Sequence, residues 1–275
     1  CSHVAIISST ENGKQFRLTI PDSVPNGHYD IFALTASGLS SVRSFMVGRL
    51  PERSEAAAND SLDVAESVRV NSVTNGRIET KGDVDHFEFE GQRGQRVVVE
   101  CLAERIDSQL RAVLQVFDAA GRRQAVNRGF FGIDPLIVFD VPADGSYNVR
   151  VSDLIYSGSA DHVYRLRIST RPRVVFTVPS VVQAGATGEV KLFGWNLRQG
   201  SPKQGTAYET ATVDVAAPAV EETPFTLRRR PAQIGTSGFA YHYSGSQYPI
   251  RISLSDVPVV VESVVNQSVS GAQPL

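Results

Sequence analysis

The chain has 275 residues, a net charge of −2 and a hydrophobic fraction of 41%. That length predicts two domains, or three if the modules are short, with enough apolar residues for real cores. The near-zero charge gives no electrostatic reason to expect nucleic acid or a membrane surface, and no apolar run approaches the roughly 20 residues that span a bilayer.

Only Cys1 and Cys101 are present, which excludes a disulfide framework or a Cys-based zinc site. Cys1 has two readings, the lipid-bearing first residue of a mature lipoprotein or an arbitrary boundary. The second is preferred, because Val4 to Ile7 enters apolar sequence at once with no tether.

Helical periodicity is nearly absent. Short alternating or apolar runs are separated by Gly, Pro, Asn and Asp, the pattern of sandwiches and barrels. Residues 16–20, 29–34 and 42–47 read as strands. Residues 50–61 (LPERSEAAANDS) are charged, small and poor in apolar side chains, and read as a linker. Strands are then expected at 67–70, 84–89, 95–101, 112–117, 136–141, 147–151 and 163–168.

Tyr147, Val149 and Val151 share one face, as do Tyr164, Leu166 and Ile168, which leaves Arg150, Arg165 and Arg167 for the opposite, solvated face. Cys101 follows Val97 to Val99 and reads as a buried thiol. The window 100–111 is the most helix-like. A third unit starts at 171–178, with strands at 189–193, 210–215, 226–229, 239–243 and 250–254.

Glu55, Asn59, Asp60, Ser61 and Ala65 recur as Glu262, Asn266, Gln267, Ser268 and Ala272 at one constant offset. Phe45, Val47 and Pro51 fall opposite Ile252, Leu254 and Pro258 in the same way. A strand end, a Pro turn and a polar linker repeated together mark a module boundary. The expected fold is all-β, as tandem sandwiches. Residues 1–48 are the C-terminal part of one domain, 49–61 an acidic linker, 62–171 a second domain, 172–256 a third, and 257–275 a linker entering a further module.

Three stretches of the middle unit carry a family resemblance: Gly82-Asp83-Val84-Asp85-His86-Phe87, Asp118-Ala119-Ala120-Gly121-Arg122 and Pro142-Ala143-Asp144-Gly145-Ser146-Tyr147. With the linker before them, they resemble the bacterial pre-peptidase C-terminal (PPC) domain. That resemblance implies a jelly-roll sandwich appended to secreted peptidases, collagenases or large surface proteins. Residues 27–47, and Pro179, Gly185 and Gly194-Trp195-Asn196-Leu197, are similar to immunoglobulin-like domains of the IPT/TIG sort.

In calcium-binding members of the PPC family, ligands come from a Glu-x-Glu-x-Asn-Asp linker and from Asp residues entering the next strand. The resemblance therefore implies calcium at Glu55, Asn59, Asp60, Asp83 and Asp85, with Ala57 in place of the second Glu. Ca²⁺ takes six to eight oxygens, so backbone carbonyls or water must complete the set. Asp83 and Asp85 also share the strand face of Phe87 and Phe89, where a carboxylate must be paired or hydrogen-bonded. A cation-free linker clamp is the competing reading.

His86 lies between two Asp but points away from them, and reads as an exposed strand histidine. No Gly-x-Ser-x-Gly elbow and no His-Glu-x-x-His motif exists, so no catalytic residues are assigned. Arg228-Arg229-Arg230-Pro231 reads as a solvated strand end. Tyr241, Tyr243 and Tyr248 with His242 read as sandwich packing before a glycan surface, and Trp195 as a lid on the core of the third unit.

The function expected is non-catalytic: an extracellular, cell-surface or periplasmic spacer or display segment, with calcium stiffening its linker. The alternative is a protein- or polysaccharide-binding accessory module of a secreted peptidase or other hydrolase. Expected partners are neighbouring domains of a longer chain and extracellular protein or polysaccharide, with no nucleic acid and no membrane insertion.

Overall fold

A computed structural model describes residues 6–9, 16–56, 58–219 and 237–262. The chain divides into two compact units at Arg171/Pro172, and no α-helix occurs among the described residues. Alternating apolar positions and frequent turn residues produce short strands throughout.

The first unit begins with β1 (Ile6–Ser9), β2 (Phe16–Leu18), β3 (Gly27–Ile31), β4 (Leu34–Thr35), β5 (Gly38–Leu39) and β6 (Arg43–Val47). It continues with β7 (Glu52–Ser54), β8 (Glu66–Ser67), β9 (Ser72–Arg77), β10 (Val84–Gly91), β11 (Arg96–Leu102) and β12 (Ala112–Asp118). It closes with β13 (Arg123–Asn127), β14 (Leu136–Asp140), β15 (Gly145–Asp153) and β16 (Val163–Ser169).

Ten of these strands form a sandwich of two five-stranded sheets, in the orders β13-β12-β15-β10-β8 and β14-β11-β16-β9-β7. Every second residue turns inward to one core. Phe87 and Phe89 of β10, Val97, Val99 and Cys101 of β11, and Leu114 and Val116 of β12 meet Val149, Val151, Leu166 and Ile168. Tyr147 anchors one end, stacked on Phe89 at 5.9 Å and edge-on to Phe139 at 5.0 Å, with its hydroxyl donating to the Ala143 carbonyl at 2.8 Å. Cys101 is fully buried in this core, and burial raises its thiol pKa well above the ordinary value.

Two sequence expectations are corrected here. Residues 49–61 are not a free tether. Glu52–Ser54 pairs in parallel with Val73–Asn75 of β9, and Glu66–Ser67 pairs in parallel with Phe87 and Glu88 of β10. The incoming chain thus lends one edge strand to each sheet of an otherwise antiparallel sandwich. Short polar strands are suited to edges, and the low hydrophobicity of β7 made it read as linker.

The second correction concerns Arg165 and Arg167, which do not face solvent. Arg167 is buried opposite Glu100 across the β11–β16 ladder, and Nη2 donates to Oε2 at 2.7 Å. Arg105 donates to Glu100 at 3.0 Å and to Asp134 at 2.7 Å, and its guanidinium sits 4.8 Å from the centre of the Phe131 ring. Asp134 also accepts the amides of Ala103 and Glu104, which holds the 3₁₀ turn Glu104–Ile106 in place of a longer helix.

This outer face is covered by the segment that precedes β7. The Ser44 amide donates to Asp107 at 2.8 Å, and a side chain at Gly48 would stand 3.3 Å from the Arg165 guanidinium. Strand alternation shows which residues share a face, but not whether another segment lies on top.

The second unit comprises β17 (Arg173–Val178), β18 (Val181–Gln183), β19 (Thr187–Trp195), β20 (Ser201–Pro202), β21 (Glu209–Ala216), β22 (Gly238–Tyr241) and β23 (Ile250–Ser255). They form a four-stranded sheet, β17-β19-β21-β20, and a three-stranded sheet, β18-β23-β22, over a core of Val174, Val190, Leu192, Val215, Phe239 and Ile252. The chain is therefore all-β and built as tandem sandwiches. Tyr243 belongs to this core, and Tyr241 packs against it. Tyr248 lies under the Arg173 guanidinium at 5.3 Å. Trp195 is buried outside the core cluster, against Tyr208 at 5.1 Å, with Nε1 donating to the Ala207 carbonyl at 2.8 Å. Residues 226–229 and the basic run 228–230 lie outside the described residues.

The Glu100–Arg167 pair gives a testable outcome. Arg167→Met leaves Glu100 with half of its buried charge balance and should destabilise the first unit by about 3 kcal/mol, whereas Glu100→Gln combined with Arg167→Met should recover a large part of that loss. Calorimetric melting of the full chain reads both.

Candidate metal centre

The candidate site lies where the 52–67 segment crosses the sandwich. Pro51 leads the chain onto β9, its carbonyl accepting the Val73 amide at 2.9 Å, and the Glu55 amide closes the pairing on the Asn75 carbonyl at 2.9 Å. Arg165 grips Glu52 with both guanidinium nitrogens, at 2.5 and 2.7 Å, which holds the Glu52 carboxyl below the usual carboxylate range despite partial burial. Arg53 forms an ion pair with Glu66 and donates to the Ser67 carbonyl.

The chain then moves to the other sheet. The Asn59 carbonyl accepts the His86 amide at 2.9 Å, and the Asn59 side-chain amide donates to the His86 carbonyl at 3.3 Å. Asn59 thus continues the edge of β10, and Asp60 follows beside the start of that strand. Ala57 lies outside the described residues.

Four of the five sequence-predicted residues converge here. Carboxylate oxygens of Asp60, Asp83 and Asp85 all lie within 4.8 Å of one another. Glu55 adjoins Asp85. Its Oε2 accepts the Arg77 amide at 3.0 Å, and its Oε1 lies 3.2 Å from the Tyr164 hydroxyl. The same hydroxyl lies 2.6 Å from Asp85 Oδ2. The fifth residue, Asn59, uses its amide nitrogen to clamp β10.

Gly76 makes the approach possible: a Cβ there would collide with the Tyr164 ring and hydroxyl and stand 2.7 Å from Glu55 Oε2. Asp83 is oriented from below, since its Oδ2 accepts the Glu79 amide at 2.6 Å.

Electrostatically the cluster is under-compensated. Asp85 is only 2% exposed. Its desolvation, opposed by the Tyr164 hydrogen bond and reinforced by Glu55 and Asp83, pushes its carboxyl up to about 8. A single hydroxyl proton on Tyr164 faces two carboxylates, so Asp85 holds a proton at neutral pH unless a cation replaces it. The donor set suits a hard divalent ion. Oxygens opposite each other around Ca²⁺ stand about 4.6–5.2 Å apart, twice the ordinary Ca–O distance, and the three aspartates fall inside that span. The three supply hard oxygen ligands, with further positions left for carbonyls and water.

His86 departs from its predicted exposure. It is buried, with Nδ1 2.8 Å from Asn148 Oδ1, because the segment at Asn59 covers its strand edge. A second His contact is absent from any motif: Ser159 Oγ lies 2.8 Å from His162 Nδ1. That hydroxyl also accepts the Asp161 amide at 3.1 Å, and the His162 carbonyl accepts the Ile78 amide at 3.0 Å. The pair is a turn lock between β15 and β16, with His162 buried. Glu262 is exposed, and Asn266 and Gln267 lie outside the described residues.

No family model matches the chain. A stretch of 71 residues is 38% identical to a probable subtilase-type serine protease of Deinococcus radiodurans; it covers 26% of this chain and 10% of that protease. The chain thus spans about a tenth of that relative. Among solved structures, the pre-peptidase C-terminal domain of a Bacillus anthracis collagenase matches over 38% of this chain and 93% of its own, with 16% identity and a TM-score of 0.31. An Aeromonas hydrophila periplasmic inhibitor of g-type lysozyme matches over 38% of this chain and 96% of its own, with 21% identity and a TM-score of 0.29.

Proposed function

We propose that this chain is a non-catalytic accessory segment of a secreted peptidase, whose middle module is a PPC-type sandwich flanked by immunoglobulin-like modules and is locked to its entry segment by calcium. The observation that carries the reading is the meeting of Glu55 and Asp60 from the entry segment with Asp83 and Asp85 from the sandwich. An ion bound there joins the two covalently distant pieces and stiffens the junction, whereas contacts between modules are otherwise small and mobile.

The stretch 38% identical to a subtilase-type protease supports the peptidase context. The absence, among the described residues, of a helix long and apolar enough to cross a membrane accords with a secreted or surface location. The non-catalytic assignment is supported by the site itself. Glu55 and Asp85 are engaged by the Arg77 amide and the Tyr164 hydroxyl, and the Ser159–His162 contact is a local turn.

Here Asp60, Asp83 and Asp85 would hold the ion through carboxylate oxygens, and Glu55, which adjoins Asp85 and shares the Tyr164 hydroxyl with it, would be drawn in beside them. Calcium supplies positive charge that replaces the proton on Asp85. Tyr164 keeps its hydroxyl proton, since burial and then the Asp85 charge raise its pKa well above the ordinary value.

The sign of the pH effect follows. A carboxyl with a raised folded-state pKa contributes full stability below its ordinary value near 3.8 and loses it as pH climbs towards 8. Without divalent ions, the first unit should therefore melt lower at pH 8 than at pH 5, and Asp85→Asn should flatten that dependence. Calcium should reverse it, raising the melting temperature by several degrees at pH 8 and by less at pH 5. Asp83→Asn or Asp60→Asn should weaken calcium binding at least about tenfold by isothermal titration while leaving the fold intact. No calcium heat and no chelator effect on melting at pH 8 would sink the proposal.

A further inference from the structure

The repeat seen in the sequence has a structural counterpart. β6 and β23 each end an antiparallel pair, β3–β6 and β22–β23. The constant offset lays Arg43 on Ile250 and Val47 on Leu254, so the two strands coincide. A proline follows each, Pro51 and Pro258. After Pro51 the chain becomes β7, the parallel edge strand of the next sandwich.

The same offset lays Val259, Val260, Val261 and Glu262 on Glu52, Arg53, Ser54 and Glu55. Three β-branched residues in a row are strong strand formers. Yet in this structure Val257, Val260 and Val261 are 65%, 50% and 51% exposed, and residues 256–262 belong to no strand. An exposed apolar strand former is a template for sheet addition.

We propose that Pro258–Glu262 is an edge strand made to complete a second sandwich of the first unit's type, pairing in parallel with the counterpart of β9. Glu262 then reaches the tyrosine corresponding to Tyr164, as Glu55 does here. The occupant is a second sandwich and not this chain's own. The slot beside β9 is filled by Glu52–Ser54, and Arg165 demands a carboxylate at the first position, where this strand offers Val259. The receiving sandwich therefore carries an uncharged side chain at the position of Arg165.

This inference rests on the modular reading above, but its test reads strand pairing and not calcium. Residues 69–171 are appended directly after Leu275, which the repeat offset lays on Val68, with Arg165→Leu in the appended copy. Amide exchange is followed in the extended and original chains. The expected result is about 100-fold slower exchange of the Val260 and Glu262 amides in the extended chain. Unchanged exchange, with the appended sandwich melting as its own transition, overturns the inference.

If the appended copy does not fold, the original chain decides the matter. Glu52→Val, Arg53→Val and Ser54→Val together with Arg165→Leu place the second strand's residues in the first slot without leaving the Arg165 guanidinium unpaired. Retention of the Glu55 amide's protection to within about tenfold supports the inference, and its loss overturns it. Failed calcium binding with strand pairing intact would sink only the earlier proposal.

Discussion

The first unit depends on one covalent economy: the segment that enters the sandwich also finishes it. Residues 52–67 lend a parallel strand to each of the two sheets, first beside β9 and then beside β10. An edge strand leaves backbone groups open on one side, and a sandwich has four such edges. Closing two of them with one continuous piece ties both sheets together across the core. The piece is held by charge as much as by backbone, through the two-nitrogen grip of Arg165 on Glu52 and the pair between Arg53 and Glu66. Crossing from one sheet to the other then brings Glu55 and Asp60 to Asp83 and Asp85 at the start of β10.

That crossing explains why carboxylates gather in so small a volume. Asp85 occupies a position whose alternation turns it towards the core, where it meets Tyr164, a residue of the other sheet. A buried carboxyl there is tolerable in two forms, protonated or neutralised by a cation. The protonated form makes the junction's stability fall as pH rises towards 8. The rest of the molecule contains buried charge of a different kind. Glu100, Arg167, Arg105 and Asp134 balance each other with paired contacts and backbone amides. That network sets two guanidinium groups against two carboxylates, whereas Asp85 sits among further carboxylates.

The nearness of the carboxylates was legible in the residues to a degree: Glu55, Asn59, Asp60, Asp83 and Asp85 were named from their order and from the resemblance they carry, and the structure gathers Asp60, Asp83 and Asp85 with Glu55 beside them. Tyr164 could not be named. It reads as an ordinary core residue of β16, and only the pairing of sheets shows its hydroxyl standing between two carboxylates. Gly76 was equally silent, since its role is to leave room. His86 was misplaced in the sequence reading because its burial comes from Asn59, 27 positions away. Arg165 and Arg167 were misread for the same reason, their cover being a segment from before β7.

Strand alternation, turn chemistry and the internal repeat were therefore determined by the polypeptide alone, since each depends on residues within a few positions of one another or on plain recurrence. They established an all-β chain of serial modules and the identity of its inward faces. Only the tertiary structure decided which segment lies on each outer face, that the acidic stretch supplies an edge strand, and that one tyrosine joins the carboxylates. Those facts turn on which distant pieces of chain become neighbours, and a local pattern holds no record of that choice.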